Sequence, residues 1–159
     1  GISYIWSKSM IKGTLTLEQV NAEPWSKWNA FVDLLALEEL ENLSPLQQKA
    51  SAIFWYNDEV ENGGHLQYFL NQGIEHARIT LEALKTFNHK AAVIIQHALS
   101  KLDQVDLSTI EDVDDYVEMA LDDHFGEYDE QHYDLKPDLV ELIREILEKH
   151  EDEFLIITP

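Results

Sequence analysis

The sequence predicts an all-α protein, an irregular bundle of about six or seven helices forming a single domain. Three observations carry that expectation. Apolar residues recur at helical spacing in segment after segment, and no run alternates cleanly at period two. The pairs Ser44/Gln47 and Ser108/Glu111 have the form of capping boxes that open helices. A chain of 159 residues that is 45% hydrophobic can build one core, whereas disorder requires low hydrophobicity as well as high charge.

The elements follow in order. Residues 1–20 carry little periodic signal. Ile2, Tyr4, Ile5 and Trp6 form an apolar patch suited to docking on the body or on a second subunit, so a homodimer is one arrangement the sequence allows. Residues 24–42 read as a helix, with Trp25, Trp28, Val32, Leu35 and Leu40 near helical spacing. Ser44 caps the next helix and Pro45 falls at its first position, after which Leu46, Ala50, Ile53, Phe54, Asn57 and Val60 trace one stripe. That helix is expected to stop at Asn62-Gly63-Gly64, because glycine takes the left-handed backbone that a helix end often needs. A short helix over 65–71 comes next, broken at Gly73. Another runs to about residue 87 with Ile74, Ala77, Leu81 and Leu84. Asn88 caps a helix carrying Ala91, Ile94, Ile95, Ala98, Leu99 and Leu102.

Ser108 and Glu111 then open a helix to about residue 124, with Ile110, Val113, Val117, Ala120 and Leu121 as its buried stripe. Residues 125–135 read as a loop. Pro137 opens the last helix, whose buried face is Leu139, Leu142, Ile143, Ile146 and Leu147. The tail Phe154-Leu155-Ile156-Ile157 is either a strand or a docked end. No repeat or low-complexity linker divides the chain, so 1–159 is expected to be one helical domain.

Charge sets the class of partner. The chain holds 31 acids against 11 Lys and Arg, a formal −20. Residues 1–80 carry 10 acids and 5 bases, and residues 81–159 carry 21 and 6. Such a surface repels nucleic acid and anionic lipid and attracts basic proteins and cations. With no cysteine, disulfides and thiolate metal sites are excluded, which fits a reducing cytosol and an expected cytoplasmic location. No apolar run approaches the roughly 20 residues that span a bilayer, and no signal peptide is legible. The chain opens on Gly1 in place of Met, which leaves a removed leader open.

The densest cluster of unusual residues runs from Glu59 to Asn71 across a helix corner. Glu59 sits one turn before the double glycine, while Gln67 and Asn71 are four apart and share a face of the following helix. Glu59, Asn62, Gln67 and Asn71 therefore converge. In the structural reading they satisfy orphan backbone groups at two helix ends; in the functional one they line a polar pocket. Glu59, Val60, Asn62, Gly63, Gly64, Gln67, Tyr68, Phe69 and Asn71 match the pattern E-V-x-N-G-G, gap, Q-Y-F-x-N. On these residues the chain resembles a bacterial DNA-mimic protein (DMP-type) family, whose C-terminal domain was long catalogued as a domain of unknown function. The resemblance covers about residues 44–102 and leaves 103–159 as an acidic C-terminal part; His65 stands where the family would place an aromatic residue. It implies an all-α fold. For the founding member it implies an acidic surface that occupies the DNA site of a transcription factor. That activity does not reside in the motif, so here it rests on this chain's own acids.

Those acids concentrate between Leu102 and Leu135, where 13 Asp and Glu occur without one Lys or Arg. Glu111, Asp115, Glu118 and Asp122 follow one helix face, and three like-charge pairs at those spacings cost about 1 kcal/mol together. Glu111 and Asp112 recover part of that near the helix N-terminus. A cost of this kind is either that of a solvated face or that of a docking surface. The four-acid stripe spans about 16 Å, one charge per about 5 Å, against one per about 1.7 Å of duplex axis. Mimicry of a duplex therefore needs a second row, from Asp112, Asp123, Glu127, Asp129 and Glu130.

Asp122, Asp123, His124, Glu127, Asp129 and His132 carry ligand chemistry for a hard cation, but neither an EF-hand series nor a His-Glu-x-x-His motif is present. No metal or cofactor is expected. Glu59 with His65 or His76 is the one acid–base pairing on offer, and no nucleophile elbow or phosphate loop appears. Trp25, Trp28, Trp55 and Tyr56 are read as core or interface. The leading expectation is a non-enzymatic acidic interaction module, in its sharpest form a DNA mimic on a basic, DNA-binding partner protein. An immunity-type inhibitor of a basic toxin is a related alternative. A small-ligand binder or enzyme using the corner at Glu59, Asn62, Gln67 and Asn71 is the runner-up.

Overall fold

Side-chain caps at Thr16, Ser44, Asn88 and Asp112 start four of the helices. A computed structural model describes residues 11–159; the patch of Ile2, Tyr4, Ile5 and Trp6 lies outside the described residues. Strand β1 (Gly13–Thr16) leads into α1 (Leu17–Ala22), and α2 (Ser26–Leu37) is followed by a 3-10 turn at Leu40–Asn42. The long run α3 (Pro45–Phe87) is interrupted at Gly63, Gly64 and Gly73. Then come α4 (His89–Leu102), a 3-10 turn at Leu107–Thr109, α5 (Val113–Asp122), α6 (Gly126–Tyr133), α7 (Leu139–Lys149), α8 (Glu151–Phe154) and strand β2 (Leu155–Thr158). The all-α class holds, with one two-stranded sheet among the described residues. Contacts among the described residues gather into two compact units, residues 11–54 with 139–159 and residues 55–138.

In the first unit, Ser44 and Gln47 form the expected box: the Gln47 amide donates to Ser44 Oγ (3.3 Å) and the Ser44 amide to Gln47 Oε1 (2.9 Å). Gln47 does more than cap. Its fully buried Nε2 donates to the carbonyls of Ile11 (2.7 Å) and Glu153 (2.8 Å), tying together the two segments that lead into β1 and β2. Those strands pair in parallel, Gly13 opposite Leu155 and Thr16 opposite Thr158, so the apolar tail is a strand. Thr16 and Gln19 form a further capping box, which opens α1. Leu139, Leu142, Ile143, Ile146 and Leu147 are buried on α7, as their spacing requires. That helix begins two residues after Pro137 rather than on it. In α2 the expected Trp25 stripe is displaced: Phe31, Leu34 and Leu35 are buried and Trp25 is 64% exposed. Phe31 meets Phe154 edge to face at 4.8 Å, whereas Trp28 stays half-buried with the Arg144 guanidinium 5.1 Å from its ring.

The second unit corrects three expectations. Residues 125–135 are not all loop, since 126–133 form α6, an eight-residue helix with little apolar content that tertiary hydrogen bonds hold in place. Ser108 and Glu111 do not open α5. Asp106 captures both the Ser108 amide (3.0 Å) and its hydroxyl (2.6 Å), and Asp112 becomes the cap by accepting from the Asp115 amide (2.8 Å). The stripe Val113, Val117 and Leu121 is not buried either; these residues are 76%, 49% and 80% exposed. Tyr116 and Met119 turn inward instead, together with half-buried Asp115.

Candidate functional site

The motif corner is a socket that receives α6. Gly64 has φ +77° and ψ 179°, a conformation essentially reserved for glycine, and restarts the helix at His65. The first amide of that restarted turn, on His65, is an orphan donor. Asp129 of α6 satisfies it: Oδ1 accepts from His65 N (2.8 Å) and lies 2.6 Å from His65 Nδ1. A carboxylate only accepts, so Nδ1 carries a proton; on the far side of the ring Nε2 lies 2.7 Å from the Tyr56 hydroxyl. Absence of a side chain at Gly64 matters here, because a Cβ would stand 2.6 Å from Asp129 Oδ2.

Two further bonds seat α6. His132 Nε2 lies 2.9 Å from Asn57 Oδ1, and the Tyr133 hydroxyl donates to the Val60 carbonyl at 3.2 Å. Tyr56 is the hub, 4.9 Å from Tyr68, 5.2 Å from His132 and 5.5 Å from His65 between ring centres. Burial sets the ionisation of the cluster. It pushes the Tyr56 and Tyr68 phenols well above their ordinary range and pulls His76 and His132 down to about 4. For Tyr56 the neighbouring Tyr68 and the Asp129 carboxylate add to the upward push. The two phenols, His76 and His132 are therefore neutral near pH 7, which avoids the cost of desolvated charge at those four side chains.

The four residues expected to converge are only partly brought together. Asn62 Nδ2 donates to Gln67 Oε1 (3.3 Å), and Gln67 Nε2 reaches back to the Glu59 carbonyl (3.5 Å). Asn71 is exposed and takes no part in these bonds. Tyr68 points inward to His76 Nδ1 (2.7 Å) and Thr80 Oγ1 (3.0 Å). The pairing of Glu59 with His65 or His76 does not form: Tyr56 and Asp129 hold the His65 ring, Tyr68 holds His76 Nδ1, and among the described residues buried Glu59 Oε2 has no hydrogen-bond partner. Beside the corner, a cleft of about 70 Å³ touches Gly63, Leu66, Met119, Asp123 and Asp129. That is well short of the roughly 300–1,000 Å³ of a small-molecule site. Among the described residues no three His, Asp or Glu gather at metal-ligating geometry.

The socket thus fixes α6, the last helix of the acidic segment. Of the 13 acids between Leu102 and Leu135, only Asp115 and Asp129 are not fully exposed. Asp129 belongs to the latch and Asp115 accepts the Glu111 amide (3.0 Å), so neither carboxylate faces outward with the rest. Asp112 and Asp123 bound α5, the latter in the left-handed conformation (φ 51°). Along α5 the outward row is Asp114, Glu118 and Asp122, not the row through Asp115; on α6 the exposed acids are Glu127 and Glu130, with Asp134 just beyond. Among the described residues none of these carboxylates pairs with a Lys or Arg. His124 approaches Asp122 at 3.9 Å. Sequence reasoning missed Asn57, His132 and Tyr133 as seating residues, because their bonds join positions 73 to 75 apart in the chain.

Among the described residues no helix is long and apolar enough to cross a membrane. The sequence pattern of one family, DMP19-like protein, matches residues 41–150. No curated protein and no solved structure matches the chain.

Proposed function

From the premise that this chain belongs to the DMP19-like protein family, we propose that it is a non-enzymatic acidic interaction module acting as a DNA mimic. Its outward carboxylates dock on the basic, nucleic-acid-binding surface of a partner protein. The carrying observation is the run of 11 exposed acids between Leu102 and Leu135, none paired with Lys or Arg among the described residues. Carboxylates held apart from internal cations keep their field for a partner. The row Asp114, Glu118, Asp122 advances one charge per about 6 Å, so Glu127, Glu130 and Asp134 are needed as the second row. The latch at Asp129 supports this reading. It uses one acid to orient α6, which presents Glu127 and Glu130.

A pull-down from the host lysate at 50 mM and at about 500 mM salt names the partner. Duplex DNA is then titrated into the purified complex. Release of the partner by DNA, and its loss at high salt, are the expected results. A complex that duplex DNA does not disturb overturns the mimic reading.

A further inference from the structure

The exposed apolar row on α5 sits where a purely electrostatic surface has no use for it. Val113, Val117 and Leu121 recur every four residues and are 76%, 49% and 80% exposed. With each residue advancing about 100°, they occupy an arc of about 80°, turned away from the side that carries inward-facing Tyr116 and Met119. Asp114, Glu118 and Asp122 form the adjoining row, also every four residues and also exposed. Solvent-facing acids cost a helix little, but three large aliphatic side chains in one row are an unburied apolar strip of about 12 Å.

We propose that this face of α5 binds a basic amphipathic helix of the partner protein. The occupant lays its own apolar stripe along Val113, Val117 and Leu121 and sets Lys or Arg against Asp114, Glu118 and Asp122. Charge complementarity selects this occupant. A second copy of the chain would bring the same acidic row against itself, and like charges in register oppose that pairing. A neutral helix would leave the carboxylates flanking the strip desolvated and unpaired. The proposal rests on the docking reading above and deepens it: phosphate mimicry needs only the acids, whereas this mode needs the aliphatic row beside them.

The test uses the full chain and two synthetic peptides of identical Leu, Lys and Arg content. One is ordered at helical spacing to give one apolar face, the other scrambled so that no face forms. The ordered peptide is expected to bind at least tenfold tighter at about 150 mM salt, with that preference lost in Val113→Ser/Val117→Ser/Leu121→Ser. The single variant Leu121→Ser, at the most exposed of the three positions, is expected to lose part of it with an unchanged melting temperature. Equal binding of the two peptides overturns this inference while leaving the acidic docking face standing. Failure of both peptides to bind overturns the docking reading itself. A concentration-dependent dimer that Leu121→Ser dissolves makes the occupant a second copy and also overturns the inference.

Discussion

Gly64→Ala places a methyl group where backbone and neighbour both resist it, and the two costs can be separated. At φ +77° and ψ 179° any residue other than glycine pays about 1–3 kcal/mol in backbone strain. The new carbon would also stand 2.6 Å from Asp129 Oδ2 and 3.1 Å from its Cγ, so the carboxylate must move. Asp129 Oδ1 then loses its bonds to His65 N and Nδ1. Each bond to a charged acceptor is worth about 1.5–3 kcal/mol, and partial exposure of Asp129 brings the pair to about 2–4 kcal/mol. Gly73→Ala is the matched control: φ is +84° and ψ 170°, the same backbone region, with nothing within 4 Å of the added carbon. Gly64→Ala is therefore expected to be less stable than Gly73→Ala by about 2–4 kcal/mol. In urea denaturation followed by circular dichroism, with a slope of about 2 kcal/mol/M, its midpoint falls about 1–2 M below the control's. In an Asp129→Ala background the difference between the two glycine variants should largely vanish. Equal costs in the wild-type background refute the latch.

Burial holds His76 and His132 at about 4 in the fold, against 6.5 in the open chain. The unfolded state binds the extra protons, so their contribution is complete above pH 6.5 and is lost as pH falls toward 4, about 2 kcal/mol per imidazole by pH 5. His76→Phe should flatten the pH 5–7 stability profile, and an unchanged profile contradicts that account. Asp129→Asn should lower the denaturation midpoint, while Asp114→Asn/Glu118→Gln/Asp122→Asn should leave stability unchanged or slightly raised and weaken partner binding; the opposite assignment would show that the latch and the docking row have been confused. Gln47→Ala strips partners from the Ile11 and Glu153 carbonyls and from the Ser44 amide, an expected loss of about 2–4 kcal/mol in chemical denaturation. A loss under 1 kcal/mol would show that water replaces them.

Local chemistry was legible in the sequence, and long-range chemistry was not. Ser44, Pro45 and Gln47 marked the start of α3, Asn88 capped α4, the glycines at 63, 64 and 73 marked the breaks, and the α7 stripe was read residue for residue. Each of these signals is complete within a few residues. The pairing of β1 with β2 joins positions about 140 apart, and neither strand exceeds four residues, too few to show a period. α6 lacks apolar periodicity because hydrogen bonds from Asp129, His132 and Tyr133 seat it. On α5 the periodicity points to the aliphatic row as the core face, because apolar residues ordinarily turn inward; Tyr116 and Met119 take that side instead. Of the four polar side chains expected to converge at the motif, Asn62 and Gln67 meet, and Glu59 joins them only through its main-chain carbonyl. The motif's central partner, Asp129, lies 64 residues from His65, and nothing local distinguishes it from the outward acids around it.

Binding of the pulled-down partner, measured calorimetrically at 50 and 200 mM salt for the wild type and for Asp114→Asn/Glu118→Gln/Asp122→Asn, tests the docking surface most directly. Wild-type affinity is expected to fall about tenfold or more over that range, and the neutralised variant to bind more weakly with a visibly shallower salt dependence. Equal affinity and equal salt dependence for the two proteins would show that the partner engages some other face.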